Sequence, residues 1–153
     1  NKFHMKTTAV YLCIYKQTAI WAHIGDSRLY HFWNGELVDY TLDHSISQMA
    51  VALGEITREE IPQYPQRSLL LRALGSEGEE ADVHQPIQLE EGRHAFLLCT
   101  DGFWEYLEES EILQVLVQSR TAKMWVEELR SRVESRCGTD NDNNTAIAII
   151  LEV

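Results

Sequence analysis

Basic residues are scarce in this 153-residue sequence: 13 Lys and Arg stand against 24 Asp and Glu, a net charge of −11. That balance excludes a basic face able to hold a phosphate backbone, so no nucleic acid is expected as a partner. Long apolar runs are also missing. None approaches the roughly 20 residues of a membrane helix, and no basic, apolar and small-residue leader opens the chain, so no membrane is expected either. The cysteines, Cys13, Cys99 and Cys137, are odd in number and widely spaced. They form no CxxC pair, which argues against both a zinc ribbon and a disulfide framework and points to a reducing, cytoplasmic setting. What is present is ordinary for one globular domain with a real core, 44% hydrophobic and 24% charged.

β-Branched and aromatic residues crowd the first forty positions. The runs 7–14, 18–24, 28–33 and 36–40 read as four consecutive antiparallel strands. Asn34-Gly35 between the last two is a strong hairpin signal, whereas Gly25-Asp26-Ser27 breaks the pattern between the second and third. Residues 45–53 read as a short helix ended by Gly54. Thr57 with Glu60 has capping-box spacing for another short helix, which Pro62 and Pro65 stop early. This proline-punctuated stretch, residues 46–66, reads as a surface lobe. After an apolar return at 69–74 and an acidic loop with a short strand around 83–89, residues 95–100 form an apolar run without alternation. Such a strand is buried on both faces. Helical periodicity then occupies 110–119 and 123–137, and a last buried strand covers 145–153.

Acids stand where strands hand over to loops: Asp26, Asp101 and Asp142. Taken singly, each fits a turn or a helix cap. Brought together at one end of a sandwich, they would form an oxygen-only ligand set suited to Mg²⁺ or Mn²⁺. The histidines show no paired ligand spacing, and most read as surface or hydrogen-bonded residues, with His44 set apart as a candidate to hold the 46–66 lobe; the four tryptophans read as core or rim.

The segments around these acids resemble a known family. Ala22-His23-Ile24-Gly25-Asp26-Ser27-Arg28 is similar to the Gly-Asp-Ser-Arg motif of the metal-dependent type 2C Ser/Thr protein phosphatases. Leu42-Asp43-His44-Ser45 resembles their Asp-His-Ser segment. Pro65-Gln66-Arg67 through Arg72-Ala73-Leu74-Gly75 resembles Pro-Gln-Arg…Thr-Arg-Ala-Leu-Gly of the bacterial branch. Leu97-Leu98-Cys99-Thr100-Asp101-Gly102 resembles Leu-Cys-Ser-Asp-Gly, and Asp142-Asn143-Asn144-Thr145 resembles Asp-Asn-Ile-Thr. The motifs come in the family's order. The resemblance implies an α+β fold, an antiparallel β-sandwich flanked by helices in α-β-β-α layers. It implies Asp101 and Asp142 as ligands of a two-metal centre, with Asp26 joining Asp101 at a third ion. The implied reaction is in-line attack on a phosphoserine or phosphothreonine by a metal-activated hydroxide. It further implies phosphorylated Ser/Thr proteins as substrates, a cognate kinase as a functional partner, and residues 46–66 as the flap beside the site.

The sequence departs from that pattern. The family's phosphate-binding Arg segment and its Asp-Gly-x-Gly-Gly motif, which supplies a bridging Asp, are missing, and Lys6 stands where Gly precedes the Thr-Thr strand. The expectation is the C-terminal two-thirds of the domain, weakly active or inactive alone, with an apolar face that a second copy could cover. The alternatives are a truncated, non-catalytic binding or regulatory module, or a β-rich domain without phosphatase activity. Arg28 and Arg72, inside matched motifs, are expected in structural ion pairs.

Overall fold

Alternation along one strand explains the architecture. In the computed structural model, which describes residues 5–138 and 143–153, β7 (Arg93–Cys99) is buried almost throughout. Its residues nonetheless point alternately into two different cores. Ala95, Leu97 and Cys99 face a cluster with Tyr30, Phe32, Trp125, Leu129 and Val133. Phe96 and Leu98 face a second cluster with Ala19, Trp21 and Leu29. A strand wet on neither side needs no polar positions, and hence shows no period of two.

Around it the chain builds two antiparallel sheets. One has the order β4 (Glu36–Tyr40), β3 (Arg28–Trp33), β7 and β8 (Ala146–Glu152). The other runs β1 (Ala9–Tyr15), β2 (Thr18–Ile24) and two short pieces on β2, β5 (Asp82–Val83) and β6 (Ile87–Gln88). The four strands expected in the first forty residues all form, but they do not make one sheet. β1 pairs with β2 and β3 with β4, while Gly25-Asp26-Ser27 carries the chain from one sheet to the other. The hairpin at Asn34-Gly35 has positive φ at both residues, 48° and 80°, the twist-matched turn expected of that dipeptide.

Helices α3 (Glu109–Gln118) and α4 (Ala122–Arg136) cover the outer face of the β4-β3-β7-β8 sheet, burying Ile112, Val115, Trp125, Leu129 and Val133. Glu111 ties them together through Arg132 (2.7 Å) and Arg136 (2.6 Å). Hydrogen bonding from Arg136, and then Arg132, holds its carboxyl down at about 2. The fold is therefore α+β as expected. Among the described residues, however, helices flank only this sheet. The outer face of the β1–β2 sheet is bare, with Tyr11, Tyr15 and Val83 well exposed and Cys13 opposite Ile20.

The 46–66 lobe consists of α1 (Ile46–Ala52), capped by Ser45, and a 3-10 helix, Arg58–Gln63. Glu60 accepts the Thr57 amide at 2.7 Å, one arm of the expected capping box. The second helix includes Pro62 and ends one residue beyond it. Ile61 is fully buried in the main core, so the lobe is anchored rather than loose. Of the three free cysteines only Cys99 is buried, and burial pushes its thiol up to about 12. No helix among the described residues is long and apolar enough to cross a membrane.

Candidate metal centre

Gly25-Asp26-Ser27-Arg28 is fastened residue by residue to different parts of the chain. Gly25 accepts the His44 amide at 2.9 Å and donates its own to His44 Nδ1 at 3.1 Å. Its φ is +100°, and a Cβ there would lie 2.4 Å from Thr8 Cγ2, so the corner admits only glycine. The Asp26 carbonyl accepts the Trp104 indole N–H at 2.9 Å. Ser27 Oγ and Thr8 Oγ1 share a hydrogen bond of 2.8 Å. Arg28 makes a bidentate pair with Asp43, Nε to Oδ1 at 2.8 Å and Nη2 to Oδ2 at 2.6 Å. Its guanidinium also stacks 3.4 Å above the Trp104 ring and reaches Tyr30 Oη at 3.0 Å. Arg28 and Asp43 are both buried, a position in which a charge must be paired.

Asp101 arrives from the other sheet. β7 ends at Cys99, and Asp101 is the first residue of the four-residue helix α2 (Asp101–Trp104), with Thr100 as its N-cap. Its Oδ1 accepts the Gly102 amide at 2.9 Å. Asp101 is thus neither a cap nor the last strand residue, but a first-turn acid. Trp104, one helical turn on, fixes Asp26 through its backbone carbonyl. The two strand ends are therefore locked together, and the Asp101 charge acts on the Asp26 carboxyl.

Asp26 is 7% exposed. Burial first, then the charges of Asp101 and Asp43, push its carboxyl up from 3.8 to about 7. Asp43 is neutralised by Arg28, whereas among the described residues Asp26 makes no ion pair of its own, and the pull of Arg28 on it is smaller than the push of burial and the two acids. A buried acid beside a second acid is an arrangement that a divalent cation relieves. The donor set is oxygen only, which fits Mg²⁺ or Mn²⁺. Two of the three acids singled out in the sequence are thus brought together; Asp142 lies outside the described residues.

A second cluster was not legible in the sequence. His23, His44 and Asp82 place ligand atoms within 4.8 Å of one another, the only such trio among the described residues. Their hydrogen bonds oppose a metal. An amide can only donate, so His44 Nδ1 is an acceptor from Gly25, and Nε2 must carry the proton that meets Asp82 Oδ2 at 2.9 Å. His23 Nε2 donates to the Leu42 carbonyl at 2.7 Å. Both nitrogens of His44 are thereby occupied: His44 and Asp82 form a hydrogen-bonded pair, and His23 stacks on the His44 ring without bonding to either. Arg72 pairs with Asp82 at 2.9 Å, so both motif arginines form structural ion pairs.

No family model matches the chain. The Ser/Thr phosphatase Stp of Listeria monocytogenes is 34% identical over 139 residues, covering 90% of this chain and 54% of that protein. The crystal structure of the Ser/Thr phosphatase PstP/Ppp of Mycobacterium tuberculosis superimposes with a TM-score of 0.79 at 31% identity, over 94% of this chain and 58% of that one. This chain is a homologue of the bacterial type 2C Ser/Thr phosphatases. It spans about half the length of the curated relatives it matches. A structure of the PstP catalytic domain in complex with two manganese ions matches with a TM-score of 0.78 at 27% identity, over 96% of this chain and 60% of that domain.

Proposed function

We propose that this chain is the later part of a phosphoserine/phosphothreonine protein phosphatase domain, the part that carries Asp26, Asp101 and Asp142. The observation behind this reading is the buried Asp26 carboxyl held beside Asp101, where Arg28, already paired with Asp43, offsets only the smallest part of the burial and like-charge cost. An acid kept there against its own solvation cost implies a cation as partner. Asp101 and Asp142 would hold a pair of Mg²⁺ or Mn²⁺ ions, and Asp26 with Asp101 a third. When bound, such ions acidify water near neutral pH and offset the charge of the phosphoryl oxygens.

The chain's own residues supply placement. Arg28, paired with Asp43, is committed to structure, and Trp104 fixes the Asp26 backbone. The 46–66 lobe, tied down by Arg58 to Glu109 at 2.7 Å and by Arg67 to Glu105, is the flap that meets substrate. Phosphorylated proteins of the cytoplasm are the substrate class, with a Ser/Thr kinase as the opposing activity. The relatives' additional length would supply the missing phosphate-binding Arg and bridging Asp, so the chain alone is weakly active at most. In the isolated chain, the bare β1–β2 face with Tyr11 and Tyr15 is a surface for a second copy; a monomer in sedimentation velocity at micromolar concentration would count against that dimer.

Hydrolysis of a phosphothreonine peptide with Mn²⁺ tests the enzyme reading, on this chain and on one extended to the relatives' full length. The extended protein should turn over, and Asp101→Asn or Asp142→Asn should abolish it. Activity in neither protein, both being folded, would instead favour a non-catalytic binding module.

A further inference from the structure

The Gly25–His44 contact continues outward. His44 is buried, and its backbone also joins the 69–74 segment, its carbonyl accepting the Leu71 amide at 2.8 Å. Its ring stacks on His23 with centroids 4.5 Å apart. Beyond Nε2, Asp82 is gripped by Arg72 at 2.9 and 3.3 Å, and Arg72 also donates to the Glu80 carbonyl at 3.2 Å. Four groups thus form one hydrogen-bonded line, Arg72, Asp82, the His44 ring and the Gly25 amide, in which donation runs inward from both ends to the Asp82 carboxylate. The line ends one residue from Asp26. Each donor and acceptor in it is fixed by chemistry, because the amide at one end and the guanidinium at the other can only donate.

We propose that His44, held in the Nε2–H tautomer by Asp82, is the positioning residue that sets where the Asp26 carboxylate sits, and that Arg72 and Asp82 act on the metal centre through it. The inference rests on Asp26 being a ligand. His44 itself touches no reacting atom. Its ring holds the Ile24–Gly25 peptide through the Gly25 N–H, while its backbone N–H holds the Gly25–Asp26 peptide through the Gly25 carbonyl. Both planes that meet at the Gly25 Cα, and with them the corner leading into Asp26, are thereby pinned. Asp82 keeps the ring from flipping to the tautomer whose Nδ1–H would face the Gly25 N–H. Support of this kind around a metal ligand is worth about 10- to 100-fold in metal affinity.

The test uses the full ¹⁵N-labelled chain and Mn²⁺, with free Mn²⁺ read by electron paramagnetic resonance. In the wild type, His44 should show a bare Nδ1 coupled through the hydrogen bond to the Gly25 amide nitrogen, and a protonated Nε2. His44→Phe, which keeps the ring but offers no acceptor, should weaken Mn²⁺ binding about 10-fold or more, and Asp82→Ala should also weaken it. His44→Asn, whose Oδ1 can replace Nδ1 as acceptor, should recover most of the loss. Should His44→Phe fail to fold, Asp82→Ala and His44→Asn carry the comparison. A protonated Nδ1 in the wild type would overturn the proposal. So would Mn²⁺ binding that is lost in Asp26→Asn yet unchanged in folded His44→Phe and Asp82→Ala. Binding unchanged in Asp26→Asn would overturn the ligand assignment itself, whatever the state of the clamp.

Discussion

Asp26→Asn should make the metal-free protein more stable while removing a metal ligand. In the unfolded chain this carboxyl ionises near 3.8, whereas burial and the neighbouring acids hold it to about 7 in the fold. Between those values the folded state binds more protons than the unfolded state, so wild-type stability falls as pH rises through the window and stays low above it. The full interval, 3.8 to about 7, corresponds to a ceiling of about 4 kcal/mol. Asparagine has nearly the same shape and no charge, so it escapes that cost. Urea denaturation in EDTA should show the variant level with wild type near pH 4 and ahead by about 2–4 kcal/mol at pH 8, a midpoint shift of roughly 1–2 M. Adding Mn²⁺ should then stabilise the wild type by mass action and the variant much less. A variant that is destabilised at pH 8 in EDTA, or whose gain does not grow with pH, would refute the claim that Asp26 is an uncompensated buried acid.

Other perturbations follow from the same geometry. Arg28→Ala leaves the Asp43 carboxylate buried and alone and should cost about 3–5 kcal/mol in urea titrations, whereas Arg28→Met with Asp43→Leu should recover most of it. His31, hydrogen-bonded to His94 at 3.0 Å, is pushed down from 6.5 to about 4 by burial and then by His94. Asp39 pulls the other way, and His84 adds to the depression. Its folded value lies below its unfolded one, so its contribution is complete above about pH 6.5 and is lost toward pH 4, by about 3 kcal/mol in all. His31→Gln should flatten the wild-type stability slope across that window. Gly25→Ala meets both a positive φ and Thr8, and should lower stability by about 1–3 kcal/mol or more. Its amide spectrum should report a displaced residue 26.

Local chemistry made the elements legible. β-Branched runs marked the strands, Asn34-Gly35 marked its hairpin, and Ser45 and Gly54 marked the ends of α1 and its exit turn. Pairing was another matter. Gly25-Asp26-Ser27 carries the same turn residues whether it joins two strands of one sheet or crosses between sheets, and periodicity does not separate the cases. The 69–74 leucines look like core by composition, yet Leu69, Leu71 and Leu74 are about half exposed, because their segment is held by isolated bridges to Ser45 and Thr7. Within the site, Asp26 and Asp101 were visible through motif resemblance; their meeting was not, since it depends on Trp104 reaching back 78 residues to the Asp26 carbonyl. His23, His31, His44 and His94 showed no ligand spacing and are indeed hydrogen-bonded, but their burial and the clamp on Gly25 emerge only when distant strands are assembled.

The most direct test of the account is a double-mutant cycle on Mn²⁺ affinity in the intact chain, using Asp26→Asn, Asp101→Asn and the pair, with an exposed acid such as Glu79→Gln as control for the protein's overall negative charge. Two carboxylates that hold one ion are strongly coupled. At the ion that Asp26 and Asp101 share, each single variant should therefore weaken binding about as much as the double does, while Glu79→Gln leaves it unchanged. Additive losses, or losses no larger than that of Glu79→Gln, would contradict a shared site for Asp26 and Asp101.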